Sequence, residues 1–451
     1  MRIAVVTYGT EGDARPLAAL CHALDAAGHS TLLLADASTL GAAQRLGVRS
    51  QALAGDIQGA LGASGAIANV VAQSHNPGAA AKALAAIANA NAAAWLRQTV
   101  EAARDCDAIV SAGLAAFVGL SAGDALRVPV IGAGMFPLTP TRDFATPFVP
   151  PAKVPRWLHR TSHRFVNAML WRAFRPAINA ARAEVCGLPA RGKMWDGHPM
   201  LYGFSPSLLP RPADWPGNAV AFGQWMPPAS AWQVPAALQA FLDAGEAPVY
   251  LGFGSMTGFD AVRMRAMLVE AMAGRRTVFN PGWSGMAMQG LPANFHVVGD
   301  VPHDWLFARM AAVVHHGGSG TAHSAARAGV PSVVVPFAGD QFFWAHQLAR
   351  AGVAPEAVAG TRLTAQDLAR GIACPGDALA GARTRRAHAR RAGTGARRGL
   401  HRGHARALIR GAPAGSAGWS AGSARCRSRG RQCGARPRTA CRRAGGRGRT
   451  P

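Results

Sequence analysis

Ala312-Val-Val-His315-His316-Gly317-Gly318-Ser319-Gly320-Thr321 runs on to Gly329-Val-Pro-Ser-Val-Val-Val-Pro336 and then to Gly339-Asp340-Gln341. A short β-branched run that enters a Gly-rich turn, followed by a stretch free of breakers, predicts a buried strand, a tight turn and a helix starting near Ser319. At such a helix start the free backbone N–H groups are approachable because Gly317, Gly318 and Gly320 carry no side chain. They form a cradle for an anionic group at the positive end of the helix dipole. A strand–turn–helix junction with no ligand has the same pattern, so both interpretations stand on this stretch alone.

The same alternation extends outward. Strand patterns at 249–254, 277–280, 296–299, 311–315 and 332–335 are separated by helical patterns at 260–273, 319–329 and 341–351. The first 134 residues repeat the theme, with strands at 2–7, 30–35, 107–111 and 129–133, a helix carrying Leu17, Leu20 and Leu24 that Gly28 closes, and an Ala-rich helix over 79–104. Two α/β halves with parallel sheets follow, and in such sheets ligands sit at the carboxyl ends of the strands. Residues 135–200 break the alternation with Phe136, Phe144, Phe148, Trp157, Phe165, Trp171 and Phe174, a loop-and-helix region that either lines a pocket or builds core. The expected domains are 1–205, a Pro-rich linker over 206–245, 246–373, and a tail from 374 to 451.

The formal charge of +25 belongs to that tail. Residues 375–451 hold 20 Arg and one acidic residue, Asp377, or +19, which leaves +6 on the body from 28 basic and 22 acidic side chains. The tail lacks sustained periodicity and contains no Lys, the composition a GC-rich gene gives when read out of frame; a disordered basic tail is the alternative. The seven Cys show no CxxC pair or zinc-type spacing, which points to a reducing compartment, and no leader or apolar run of spanning length is visible, so a cytoplasmic protein is expected.

The order His-His-Gly-Gly-Ser-Gly-Thr, then Ala328-Gly-Val-Pro331, then Gly339-Asp340-Gln341 resembles the donor-site signature of the family 1 glycosyltransferases, which have the GT-B fold. It is most similar to the branch of sterol, lipid and natural-product enzymes. Phe253-Gly-Ser-Met256, Pro281-Gly-Trp283, Val301-Pro-His-Asp-Trp-Leu-Phe307 and Pro210-Arg-Pro-Ala-Asp-Trp215 extend the resemblance over roughly residues 1–373. It implies two Rossmann-like domains facing across a cleft. It also implies that Trp283 stacks on a nucleotide base while the Val301 backbone reads the base edge. Ser255, His316, Gly318, Ser319, Gly320 and Thr321 would hold the diphosphate, and Asp340 and Gln341 would bind sugar hydroxyls. Trp283 as core and Asp340 as a helix cap are the structural alternatives.

Near the N-terminus, Gly12-Asp13-Ala-Arg-Pro16 matches the Gly-Asp-x-x-Pro of that branch, in which the Asp is the proposed base. Asp13 could equally N-cap a helix beginning near Pro16. Glu11 departs from the family pattern and either raises the pKa of Asp13 or faces solvent. Asp105-Cys-Asp107 and His303-Asp304 look like metal motifs but are read as a turn and a helix start.

The resemblance therefore implies a metal-independent, inverting transfer of a hexose, with UDP-glucose as the default donor, to a lipophilic small-molecule acceptor. It implies no bound cofactor and no specific nucleic acid, with peripheral contact at the inner membrane face as an option. The competing expectations are a sugar-nucleotide-binding protein with impaired catalysis and a polyanion-binding protein acting through the tail.

Overall fold

The computed structural model describes residues 1–61, 77–228, 232–256 and 259–373; the Arg-rich tail lies outside the described residues. The first sheet has seven strands: β1 (Arg2–Val6), β2 (Ser30–Asp36), β3 (Ser50–Leu53), β4 (Ala108–Ser111), β5 (Val130–Gly134), β6 (Met200–Tyr202) and β7 (Ala219–Ala221). Their order is β3-β2-β1-β4-β5-β6-β7 and every pair is parallel. The helices of this half are α1 (Glu11–Ala26), α2 (Gly41–Arg45), α3 (Ile57–Leu61), α4 (Pro77–Ala102), α5 (Ala116–Leu126) and α6 (His159–Cys186).

The central strand shows why the sheet is covered on both faces. Ile3 and Val5 point into one buried cluster with Leu17, Leu20 and Leu24 of α1, while Ala4 and Val6 point into another with Trp95 of α4 and Val118 of α5. A strand buried on both sides needs an uninterrupted apolar run, and Ile-Ala-Val-Val is one.

The second sheet has five parallel strands, β8 (Val249–Gly252), β9 (Thr277–Asn280), β10 (Phe295–Val297), β11 (Ala312–His315) and β12 (Ser332–Val334), in the order β10-β9-β8-β11-β12. Around it lie α7 (Ala236–Asp243), α8 (Ala261–Ala271), α9 (His303–Phe307), α10 (Ser319–Ala328), α11 (Gln341–Arg350) and α12 (Ala365–Ala373). Both sheets belong to one compact unit. A shared cluster joins them, with Tyr202, Phe204 and Trp215 of the first half packed on Phe343, Trp344 and Leu348 of α11.

Several expectations are altered. The helix expected to begin near Pro16 begins at Glu11, because Thr10 and Asp13 form a reciprocal capping box that sets its start upstream of the proline. The 206–245 span expected as linker contributes β7 to the first sheet and α7 to the second half. Of the aromatic residues in 135–200, Phe144, Trp171 and Phe174 are buried core, while Trp157 and Phe165 are 80% and 64% exposed.

Candidate functional site

In each sheet the strand order reverses direction next to the first strand of the half, between β1 and β4 and between β8 and β11. The loops leaving the carboxyl ends of those strands diverge there and open a crevice. Asp13 follows β1, Ser255 follows β8, and His316, Gly318, Ser319, Gly320 and Thr321 follow β11. Two distant motifs thus occupy equivalent positions in the two halves, and α1 touches α10 directly.

Asp13 is the N3 residue of α1, not its N-cap, which is Thr10. Its Oδ2 accepts the Thr10 N–H at 2.9 Å, and Thr10 Oγ1 in return accepts the Gly12 N–H at 3.3 Å. Gly9 makes room for this arrangement, since a Cβ there would lie 2.2 Å from Asp13 Oδ2. Burial pushes the Asp13 carboxyl up to about 6, against the opposing pull of its hydrogen bonds to Thr10. A carboxylate that ionises just below neutrality is suited to take a proton at pH 7.

Glu11 does not act on Asp13. It pairs with Arg15 at 3.3 Å, and Arg15 reaches across to Asp300 of the second half with contacts of 2.9 and 3.2 Å. Arg45 adds a third contact to Asp300 at 3.0 Å. This charge cluster fixes the residue that immediately precedes Val301. Val301 is buried among Leu238, Tyr250 and Leu306, which leaves only its backbone as a candidate contact.

Asp340 sits at the entry to α11 but makes no capping hydrogen bond. Its Oδ2 accepts the Trp344 Nε1–H at 3.1 Å. Burial, with the charge of Asp13 second, pushes its carboxyl up to about 7. The charge of Asp13, 327 positions away in sequence, thus bears on Asp340 across the two halves. Gln341 is buried and already engaged: its Oε1 accepts the N–H groups of Phe337 at 2.7 Å and Ala338 at 3.1 Å, and its amide meets Met256 Sδ at 3.0 Å. Its side chain holds the 337–341 turn in shape.

Around β11 the two histidines differ. His315 is fully buried and its Nδ1 accepts the Gly317 N–H at 3.1 Å, which bends the turn. His316 lies partly buried beside Gly254 and Gly318, with Nδ1 lacking a partner, and burial holds its pKa down at about 4. At neutral pH it offers a neutral imidazole N–H, not a positive charge. Gly318 caps α10 without any side-chain hydrogen bond, and the space beside Gly320 is open to 4 Å. The first-turn amides of this ten-residue helix thus have no side-chain cap, Gly320 is exposed, and the helix dipole lies behind them.

Trp283 donates its backbone N–H to Gly254 O at 2.9 Å, and its ring is partly buried against the cluster that contains Tyr8 and Trp95. It thus stands where the two halves meet. The two decoy motifs have ordinary partners: Asp107 accepts the Arg2 N–H at 2.7 Å, Asp105 lies 3.7 Å from the same arginine, His303 stacks on Phe307 at 4.4 Å, and Asp304 pairs with Arg327. Sequence reasoning missed Arg15, Asp300 and Gln224. Gln224 Nε2 donates to Gly320 O at 2.9 Å and Ser324 Oγ at 3.1 Å and braces the start of α10. No local pattern marks these residues, because each is defined by a partner at least 96 positions away.

Comparison with known proteins agrees with this architecture. The family profile of the erythromycin biosynthesis protein CIII-like C-terminal domain matches residues 278–393. The sterol 3-beta-glucosyltransferase UGT80B1 of Arabidopsis thaliana is 30% identical over 389 residues, covering 82% of this chain and 62% of that protein. Its paralogue UGT80A2 is 35% identical over 245 residues, covering 52% of this chain and 38% of that protein. The chain thus spans less than two-thirds of the length of these curated relatives. Among solved structures, the glycosyltransferase SnogD from Streptomyces nogalater superposes with a TM-score of 0.56 at 23% identity, covering 88% of this chain and 98% of that one. The glycosyltransferase VinC, solved with dTDP, gives 0.57 at 21% identity, covering 88% and 99%. At these identities the likeness to solved structures is one of fold.

Proposed function

From the place of this chain among the family 1 glycosyltransferases of GT-B fold, we propose that it moves a hexose from a nucleotide sugar, UDP-glucose first, to a hydroxyl of a lipophilic acceptor, with inversion at the anomeric carbon. The observation that carries this reading is geometric: Asp13 after β1 and the uncapped start of α10 after β11 lie at the strand-order reversals of the two sheets, and α1 touches α10. The names of the plant relatives, both sterol 3-beta-glucosyltransferases, support glucose and a sterol-like acceptor.

In the proposed step the acceptor O–H loses its proton to Asp13 as the oxygen forms its bond to C1 of the sugar. The bond from C1 to the phosphate oxygen breaks on the opposite face, and the nucleoside diphosphate leaves with the electron pair. First-turn amides of α10 and the neutral imidazole of His316 receive the developing charge, and Ser255, which follows β8, and Thr321, in the first turn of α10, are assigned to the same diphosphate. Asp340, near its midpoint of ionisation at neutral pH, can accept or donate hydrogen bonds to sugar hydroxyls. Trp283 would offer its ring to the base and Val301 its backbone.

The test is a panel of nucleotide sugars applied to the chain, read as thermal stabilisation and as slow donor hydrolysis. A selective shift with one nucleotide sugar is expected. The absence of any shift or hydrolysis across uridine and thymidine donors would overturn the reading.

A further inference from the structure

Six large hydrophobic side chains are well exposed among the described residues, and four of them, Phe148, Trp157, Phe165 and Met169, fall within a single stretch of 22 positions. Trp157 is 80% exposed, Phe165 64% and Met169 51%. Phe165 and Met169 are one turn apart on α6, and Trp157 stands just before the helix. The opposite stripe of α6, with His163, Trp171, Phe174 and Ile178, is buried in the first half, so the helix has one face in the core and one apolar face in water.

The outward face is also basic. Between Asp143 and Glu184 there is no acidic residue, while that span holds Lys153 and six arginines, of which Arg182 is buried and paired with Asp124. Arg156, Arg164, Arg172 and Arg175 make no ion pair among the described residues. Two concavities on this face are lined by both kinds of side chain, Phe165 and Met169 with Arg172 and Arg175 in one, Trp157 with Arg156 and Arg164 in the other. Exposed Trp and Phe interleaved with unpaired arginines on an amphipathic helix fit one environment, the headgroup and upper acyl region of an anionic bilayer.

Charge excludes the other occupants. A second copy would bring an equally basic face, and the tail from residue 375 carries +19. A polyanion in water would satisfy the arginines but leave Trp157 and Phe165 exposed. No helix among the described residues is long and apolar enough to cross a membrane, so the contact lies in the surface plane.

The buried side of the same helix is linked to the site. His159 Nδ1 contacts Arg142 O at 3.2 Å and His163 Nε2 contacts Phe144 O at 3.1 Å, so α6 holds the 142–144 loop from below. Phe144 in turn packs on Phe343, two positions after Gln341, at 5.3 Å.

We propose that Trp157 and the outward face of α6 dock on an anionic lipid surface, and that a lipophilic acceptor reaches the crevice from there. The second clause rests on the glycosyl-transfer reading; the first does not.

The test is flotation of the full chain with phosphatidylcholine vesicles with and without phosphatidylglycerol. Binding is expected only with the anionic lipid. Trp157→Ser/Phe165→Ser should weaken it by about tenfold or more, the effect of withdrawing two aromatic side chains from the apolar phase. Arg164→Glu/Arg172→Glu should weaken it at least as much, with melting temperature unchanged in both variants. Trp157→Phe should keep binding and lose part of the quenching by brominated acyl chains. Unchanged binding in the serine variant would assign the contact to the tail and overturn the proposal, as would failure of the parent to bind. Vesicle binding without sugar transfer would leave the face standing and remove the transferase reading. Transfer to a dissolved acceptor without vesicle binding would do the reverse.

Discussion

Replacing Asp13 by Asn should slow the proposed transfer and stabilise the fold at once. Burial raises this carboxyl from 3.8 to about 6, which at ~1.4 kcal/mol per tenfold change in proton affinity sets a ceiling of ~3 kcal/mol. Asp13 is partly open to solvent, so about half of that ceiling, ~1–2 kcal/mol, is the expected gain from removing the charge. Asn keeps an oxygen to accept the Thr10 N–H, so the capping box survives.

The sign follows from proton linkage. A carboxyl whose folded pKa lies above its unfolded value binds its proton more tightly in the folded state, so it reduces stability as pH rises from about 4 to about 6. The full penalty is present above that window. Asp13→Asn should therefore melt a few degrees above the parent at about pH 7.5, with the difference fading as pH falls toward about 4. Turnover should drop by about 10²–10⁴-fold, while nucleotide-diphosphate binding is retained. The assays are thermal melts across pH, single-time-point transfer and a diphosphate titration. A variant that melts below the parent at both pH values would refute the strained carboxylate, and one that keeps its turnover would move the base elsewhere.

Two further outcomes test the site's construction. Gly317 has φ +91°, and a Cβ there would lie 2.8 Å from Val334 Cγ1 and 3.0 Å from Gln341 O, so Gly317→Ala should cost ~2 kcal/mol and weaken diphosphate binding; parent-like denaturation would show that the turn can relax. Arg15→Ala and Asp300→Ala should couple by ~0.5–1 kcal/mol in a double-mutant cycle, less at high salt, because both groups are substantially exposed; strictly additive losses would remove the ion pair from the account of how Val301 is placed.

Much of the fold was legible because parallel strands buried on both faces must be continuous apolar runs. Ile3–Val6, Ala108–Val110 and Ala312–Val314 meet that requirement, and their predicted positions agree with the observed strands to within one or two residues. The edge strand β3, Ser50-Gln-Ala-Leu53, escaped notice because two of its four residues face solvent and none is β-branched. The strands β6 and β7 were hidden because Pro199, Pro206, Pro210, Pro212 and Pro216 surround them and give these segments the composition of a loop.

What the sequence by itself determined was the chemistry available: a Gly turn entering a helix after β11, a carboxylate after β1, and Asp340-Gln341 after β12. These are local patterns, written in spacing and residue type. Tertiary structure decided what each group can do. It brought the charge of Asp13 to bear on Asp340, made His316 a neutral donor, tied Gln341 into its own turn, and set Arg15 against Asp300 across 285 positions. Burial and Coulomb interactions depend on distance in space, and the packing of two separate sheets sets those distances.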